Sequence, residues 1–188
     1  MGIPRLSKYN DHAQVEANKA WEAKCRPLLD KVYRDWGYEP VRCETTKYDL
    51  KLVNHREPAL MVEEKYLKHT YDELAIEIMQ DLVKHELGWF YNIEADWLSY
   101  IMFKNGELNH VYIIDWYSFK AWYLDEWLSS RTNQAAYRGY YLMEPGGYGL
   151  TLNLIIKIKD ARRWVLNEFE GLKQYIMLSD YIPLESPE

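Results

Sequence analysis

The chain reads as a single α/β domain, a central mixed β-sheet flanked by helices. Three observations point there. Residues 10 to 36 carry apolar side chains near a 3.6 period, the mark of an amphipathic helix. Downstream, short runs of alternating or continuous apolar residues are separated by turn-forming clusters, the mark of strands. The length of 188 residues suits one domain, and such a chain buries about 70% of its unfolded surface. The core is expected over about 10 to 170, with a closing segment and loose tail over 173 to 188.

In chain order, the opening helix has Val15, Cys25, Leu28, Leu29, Val32 and Trp36 on its apolar side, with Asn10 or Asp11 as cap and Gly37 as stop. Pro27 predicts a kink or break near Arg26. Tyr38 to Thr45 is a short strand candidate. Tyr48 to Val53 alternates and ends in the turn cluster Asn54 to Pro58. Ala59 to Leu67 starts apolar and turns charged at Glu63, Glu64 and Lys65. Tyr66 to Asp72 reads as a polar loop, in which Lys68 and His69 are solvated or touch a phosphate. Leu74 to Val83 fits a helix through Leu74, Ile78 and Leu82, and a strand through Leu74, Ile76 and Ile78; periodicity does not decide.

Lys84 to Gly88 is a turn, and Trp89, Phe90 and Tyr91 are expected to begin the next sheet region. Asp96 to Phe103 and Val111 to Trp116 form a hairpin across Asn105-Gly106, followed by a helix from Ser118 to Trp127 that Asp115 can cap. Ser129 to Tyr140 is polar. Arg131 and Arg138, with Tyr137, Tyr140 and Tyr141, make the best basic-aromatic patch, either a nucleic-acid contact or an ordinary exposed loop. Glu144 to Gly147 is a turn, Leu150 to Ile158 a strand, and Asp160 to Leu172 a helix. Lys157, Lys159, Arg162 and Arg163 near that helix start oppose its dipole, as a phosphate contact would excuse.

Chemistry concentrates between residues 47 and 82. Along a strand, i and i+2 share a face, so Glu63 and Lys65 point one way and Glu64 the other. A hairpin brings Asp49 beside Glu63. Paired carboxylates hold Mg2+, which takes few protein oxygens and keeps waters for its substrate. An adjacent lysine offsets charge on a phosphate. Taken alone, Glu-x-Lys is more often a solvated charge pair; the apolar strand behind it and the neighbouring Asp49 favour a site.

Asp49 followed by Glu63-Glu64-Lys65 resembles the PD-(D/E)XK, or restriction-endonuclease-like, nuclease superfamily. The order of later segments is similar to a phage-type branch. There an acid-x-Lys strand precedes an Ile-Glu strand, a Gly-Trp turn, an Ala-Asp strand, and a closing strand and helix. Here these fall at Ile76-Glu77, Gly88-Trp89, Ala95-Asp96 and 111 to 127, so the likeness covers about residues 40 to 130. Tyr48 stands where the family's naming proline would precede Asp49.

The resemblance implies a strand at 74 to 83 and a Mg2+- or Mn2+-dependent deoxyribonuclease. Asp49 and Glu63 would bind the metal, with the carbonyl of Glu64 and with Glu77 as further ligands. Lys65 would orient the attacking water, and Asp96 would orient backbone or support the site from behind. Were 74 to 83 a helix instead, Gln80 would be the better candidate for a substrate contact. Glu16 and Glu22 on the first helix are read as surface charges, the alternative being that one completes the metal site.

The net charge of -6 argues against a wholly basic DNA-binding face but not against a nuclease, because metal-site carboxylates count toward it. The rival readings are an inactive nuclease-fold protein that binds nucleic acid, and a protein-partner module. The 48% hydrophobic and 28% charged content is ordinary for a globular protein. For the 17 Tyr and 8 Trp, core and rim packing is the main expected role. Two cysteines, Cys25 and Cys43, suit a reducing interior rather than a disulfide framework. No apolar run approaches a membrane span, and the first ten residues lack a signal-peptide core. The expectation is a cytoplasmic protein with DNA as partner, no membrane, and an oligomeric state left open between monomer and homodimer.

Overall fold

A computed structural model describes residues 12–43, 45–127, 140–146 and 149–170. The helix α1, His12–Asp35, runs through Pro27 as one element, so of the kink or break expected there the break does not occur. It ends at Gly37, whose φ of 95° suits a residue with no Cβ. Four strands follow: β1 Glu39–Arg42, β2 Leu50–Val53, β3 Leu60–Leu67 and β4 Glu73–Asp81. Then come β5 Glu86–Leu87, α2 Trp89–Asn92, β6 Trp97–Lys104, β7 Glu107–Asp115 and α3 Trp116–Trp122. A π-helical turn, Tyr123–Trp127, extends α3. The last described strands are β8 Tyr140–Gly146, β9 Gly149–Lys157 and β10 Val165–Glu170.

The strands form two sheets, not one. The larger has the order β1-β2-β3-β6-β7-β10; the smaller has β5-β4-β9-β8. In the larger sheet only β3 and β6 run parallel, Glu63 facing Leu98 and Lys65 facing Tyr100. Its other neighbours are antiparallel, which makes the sheet mixed. The flanks also differ from expectation. Cys25, Leu29, Val32 and Tyr33 of α1 cover one face, against Leu50, Leu52, Val62, Ile101 and Ile113. The other face packs Leu98, Tyr100 and Ile114 against Leu74, Ile76 and Ile78 of β4, Leu154 and Ile156 of β9, and the aromatic side chains of α3. The central strand β6 is therefore buried on both sides, and its near-continuous apolar run reflects that.

Several segments depart from the sequence reading. Trp89 to Asn92 form one helical turn where a sheet was expected, with Tyr91 N donating to Gly88 O and Ile93 N to Trp89 O. Residues 160 to 170 are not a helix. Ala161 and Trp164 are buried around a 3₁₀ turn, Arg162–Trp164, and β10 then covers the edge of β7. Residues 144 to 146 are strand, the end of β8, where a turn was expected. Tyr66 and Leu67 belong to β3 rather than to the loop. The basic residues of the expected helix have partners nearby: Lys157 pairs with Asp72 and Glu73, Arg162 with Glu168, and Arg163 lies 4.1 Å over the ring of Trp164.

The ambiguous segment at 74 to 82 is strand, with Leu74, Ile76 and Ile78 turned into the core. The Asn105-Gly106 hairpin has positive φ at both residues, as a type I′ turn requires. The expected cap at Asn10 or Asp11 lies outside the described residues. Among the described residues, no helix is long and apolar enough to cross a membrane.

Candidate active site

The site begins with an unequal pair of strands. The short β2 pairs with β3 only as far as Leu50 opposite Val62, so from Glu63 onward β3 has an open edge. Asp49, just before β2, closes the first part of that gap. Its N–H donates to Val62 O at 2.9 Å, and its carbonyl accepts from Cys43 N at 2.9 Å. Its Oδ2 accepts from Glu64 N at 2.8 Å. An edge amide that would otherwise lack a partner thus fixes the carboxylate.

Glu63 is 8% exposed. Its carboxylate is ion-paired with Lys65, the neighbour two residues along the same strand. Burial raises the Glu63 carboxyl to about 7, opposed by the Lys65 ammonium and reinforced by the charge and hydrogen bonding of Asp49. Glu22, half-buried on α1, is drawn into the same field. Burial raises its pKa, Lys65 opposes, and Asp49 adds. Glu63 is thus paired with Lys65 and feels the charge of Asp49, and Glu22, which the sequence reading left as a surface charge, feels both Lys65 and Asp49. Its companion Glu16 is on the surface, 3.1 Å from Lys19. Nothing in the helical pattern separates Glu16 from Glu22; only the docking of α1 does.

Glu64 faces the opposite way, into the layer under α1. Its carboxylate meets Arg42, which also pairs with Asp30. Tyr66 Oη donates to Glu64 Oε2 at 2.7 Å, and Tyr33 Oη lies 3.1 Å from Oε1 and 2.7 Å from Ser99 Oγ. Burial still pushes the Glu64 carboxyl up against the pull of Arg42. As a metal ligand, Glu64 has only its backbone carbonyl to offer. Its side chain anchors β3 to α1.

On the site face, a pocket of about 370 Å3 opens beside Glu63, lined by Lys47, Glu77, Gln80, Trp89 and Asn92 among others. Gln80 and Glu77 thus share a cavity with Glu63, although Glu77 Oε1 accepts from Trp89 N at 3.3 Å. Asp96 holds β3 from behind: its Oδ2 accepts from Met61 N at 2.8 Å, and its N–H donates to Met61 O. Asp115 caps α3 by accepting from Ser118 N. Asp81 accepts from Val83 N and Lys84 N and shapes the turn after β4. Lys68 donates to Asn18 Oδ1 at 3.0 Å, tying its loop to α1. Arg131, Arg138 and Tyr137 lie outside the described residues.

Among the described residues, no three His, Cys, Asp or Glu side chains converge as a ready-made metal cage. The donor set nevertheless fits a hard cation. Asp49 and Glu63 both offer carboxylate oxygens, and a divalent ion bound by them would offset the burial and the Asp49 charge that raise Glu63. Mg2+ typically asks for one or two carboxylates and fills its remaining positions with water.

In comparisons with known proteins, no family model, no curated protein and no solved structure matches this chain.

Proposed function

We propose that the protein is a Mg2+-dependent nuclease that hydrolyses DNA phosphodiester bonds, on a restriction-endonuclease-like core. The observation that carries this reading is the meeting of the Asp49 and Glu63 carboxyls with the Lys65 ammonium at the open edge of β3. Element order lends support. The acid-x-Lys strand β3 is followed by Ile76-Glu77 in β4, Gly88-Trp89 at α2, Ala95-Asp96 before β6, and a closing strand and helix, β7 and α3.

In this reading Asp49 and Glu63 hold the ion, with the Glu64 carbonyl and Glu77 as further ligands, and Glu22 adds its charge to the field around Asp49. Once bound, the ion supplies Lewis acidity to the phosphodiester and a more acidic water. The chain does the rest. Lys65 orients the attacking water and offsets charge on the phosphate. Gln80 contacts the substrate from the wall of the pocket. A DNA partner is compatible with the net charge of -6 if local cations meet the phosphates, and free thiols at Cys25 and Cys43 suit the reducing cytoplasm.

The test is digestion of plasmid and oligonucleotide DNA with Mg2+ or Mn2+, run beside Glu63→Ala and Lys65→Ala. Cleavage by the unaltered protein, reduced on the order of 100-fold or more in both variants with folding retained, is the expected outcome. One observation favours a second reading, a nuclease-fold binding protein without turnover: Lys65 already compensates Glu63. Retention of DNA at low salt, unaffected by Mg2+ and without cleavage, would decide for it.

A further inference from the structure

We infer that Trp89 is a positioning residue for Lys65, a platform that keeps the lysine ammonium at the acid pair when Glu63 is engaged elsewhere. The inference rests on the nuclease reading for its kinetic consequence but not for its geometry.

Lys65 Nζ lies 4.8 Å from the centroid of the Trp89 ring. The negative face of an indole attracts an ammonium, and tryptophan does so best among the aromatic side chains. On its own strand, Lys65 has Glu63 as its ion-pair partner. A cation arriving at Asp49 and Glu63 competes for that carboxylate. Without a second holding point, a lysine whose side chain has four rotatable bonds would swing to solvent. The ring supplies that point and takes no carboxylate oxygen from the metal.

Trp89 is itself held on several sides. Its ring stacks on Trp116 at 5.4 Å and 29° between planes, and Trp116 is fully buried and stacked on Phe119. Its backbone N–H donates to Glu77 Oε1 at 3.3 Å. The residue before it sets the approach: Gly88 N donates to Ile78 O at 2.8 Å, and a Cβ on Gly88 would fall 2.3 Å from Glu77 O. Only glycine lets the turn lie this close to β4, and that closeness carries the indole across to β3. Gly88 and Trp89 thus act as a pair, one for the approach and one for the contact.

The test combines spectroscopy with kinetics. In the unaltered protein, the Lys65 Hε and Cε resonances are followed by NMR, assigned through Lys65→Arg, and then followed in Trp89→Phe and Trp89→Leu. An upfield ring-current shift in the unaltered protein, kept in part by Phe and lost with Leu, is expected. With Mn2+ and an oligonucleotide substrate, Trp89→Leu should lower kcat roughly tenfold with KM nearly constant, and Trp89→Phe should restore most of it. Lys65 resonances without a ring-current shift in the unaltered protein would overturn the inference, whether or not the leucine variant folds. So would a folded Trp89→Leu protein with unchanged kcat. If the unaltered protein cleaves nothing under any metal, the nuclease reading fails, and the NMR shift alone still decides the Trp89–Lys65 contact.

Discussion

Burial, reinforced by Asp49, holds the Glu63 carboxyl near 7 against its ordinary 4.5. Between those values the folded protein carries a proton that the unfolded chain has lost. Stability from this group is therefore fully present below pH 4.5 and is lost as pH rises through 7. Its size is at most about 3 kcal/mol. Glu63→Gln, which fixes a neutral isostere, removes the dependence. In metal-free buffer, the urea midpoint of the unaltered protein should fall from pH 5 to pH 8 by more than that of Glu63→Gln; parallel curves would refute the assignment. That Glu63 and Lys65 share a face while Glu64 does not follows from strand period alone, so this much of the site was legible in the sequence. Two residue roles were not. Glu22 and Glu16 are both helical carboxylates, and only tertiary docking separates the half-buried one that feels Asp49 and Lys65 from the one on the surface beside Lys19. The burial of the Glu64 side chain depends on Arg42, Tyr33 and Ser99, which lie far away in sequence.

At the scale of elements, the readable segments are those whose own pattern carries the signal. The helix α1, the Asn105-Gly106 hairpin and the strand β3 are of this kind. The misread ones take their shape from partners. Trp89 to Tyr91 has the aromatic composition of a strand, yet close contact between Gly88 and β4 closes it into a turn. Residues 165 to 170 carry no decisive period, and the exposed edge of β7 recruits them as β10. The segment 74 to 82 fits two periods, and pairing with β9 selects the strand. A prediction follows for Gly88. Its backbone is not in a glycine-only region, with φ of -75°, so any penalty for Gly88→Ala is steric. The added methyl meets backbone atoms of Glu77 and Ile78, which cannot rotate away. The expected cost is about 1–3 kcal/mol, read as a lower urea midpoint at unchanged m-value. Amides of α2 should also lose hydrogen-exchange protection before those of β6. An unchanged midpoint would show that α2 moves away from β4 at no cost.

On the scale of the whole molecule, one mixed sheet lies between α1 and the second sheet, and the acid-x-Lys segment of β3 lies past the end of its pairing with β2. Glu22 of α1 and Glu63 of β3 each feel the charge of Asp49 at the entry to β2. Like charges gathered from separate elements oppose the docking that brings them together. The fold therefore carries a repulsion that a divalent ion, on the proposed nuclease reading, would relieve. At about 100-fold excess over its dissociation constant, a bound ion stabilises by roughly 2.7 kcal/mol. For a chain of this size that raises Tm by roughly 5–10 °C. Asp49→Asn separates the two effects. Asparagine Oδ1 can still accept from Glu64 N, so the edge stays closed, while one negative charge beside Glu63 and Glu22 disappears. The variant should melt above the unaltered protein in chelator, yet gain little when Mg2+ or Mn2+ is added. Differential scanning calorimetry of both proteins, with and without metal, measures this. An equal metal-induced rise in both, or none in the unaltered protein, would show that Asp49 and Glu63 do not share an ion.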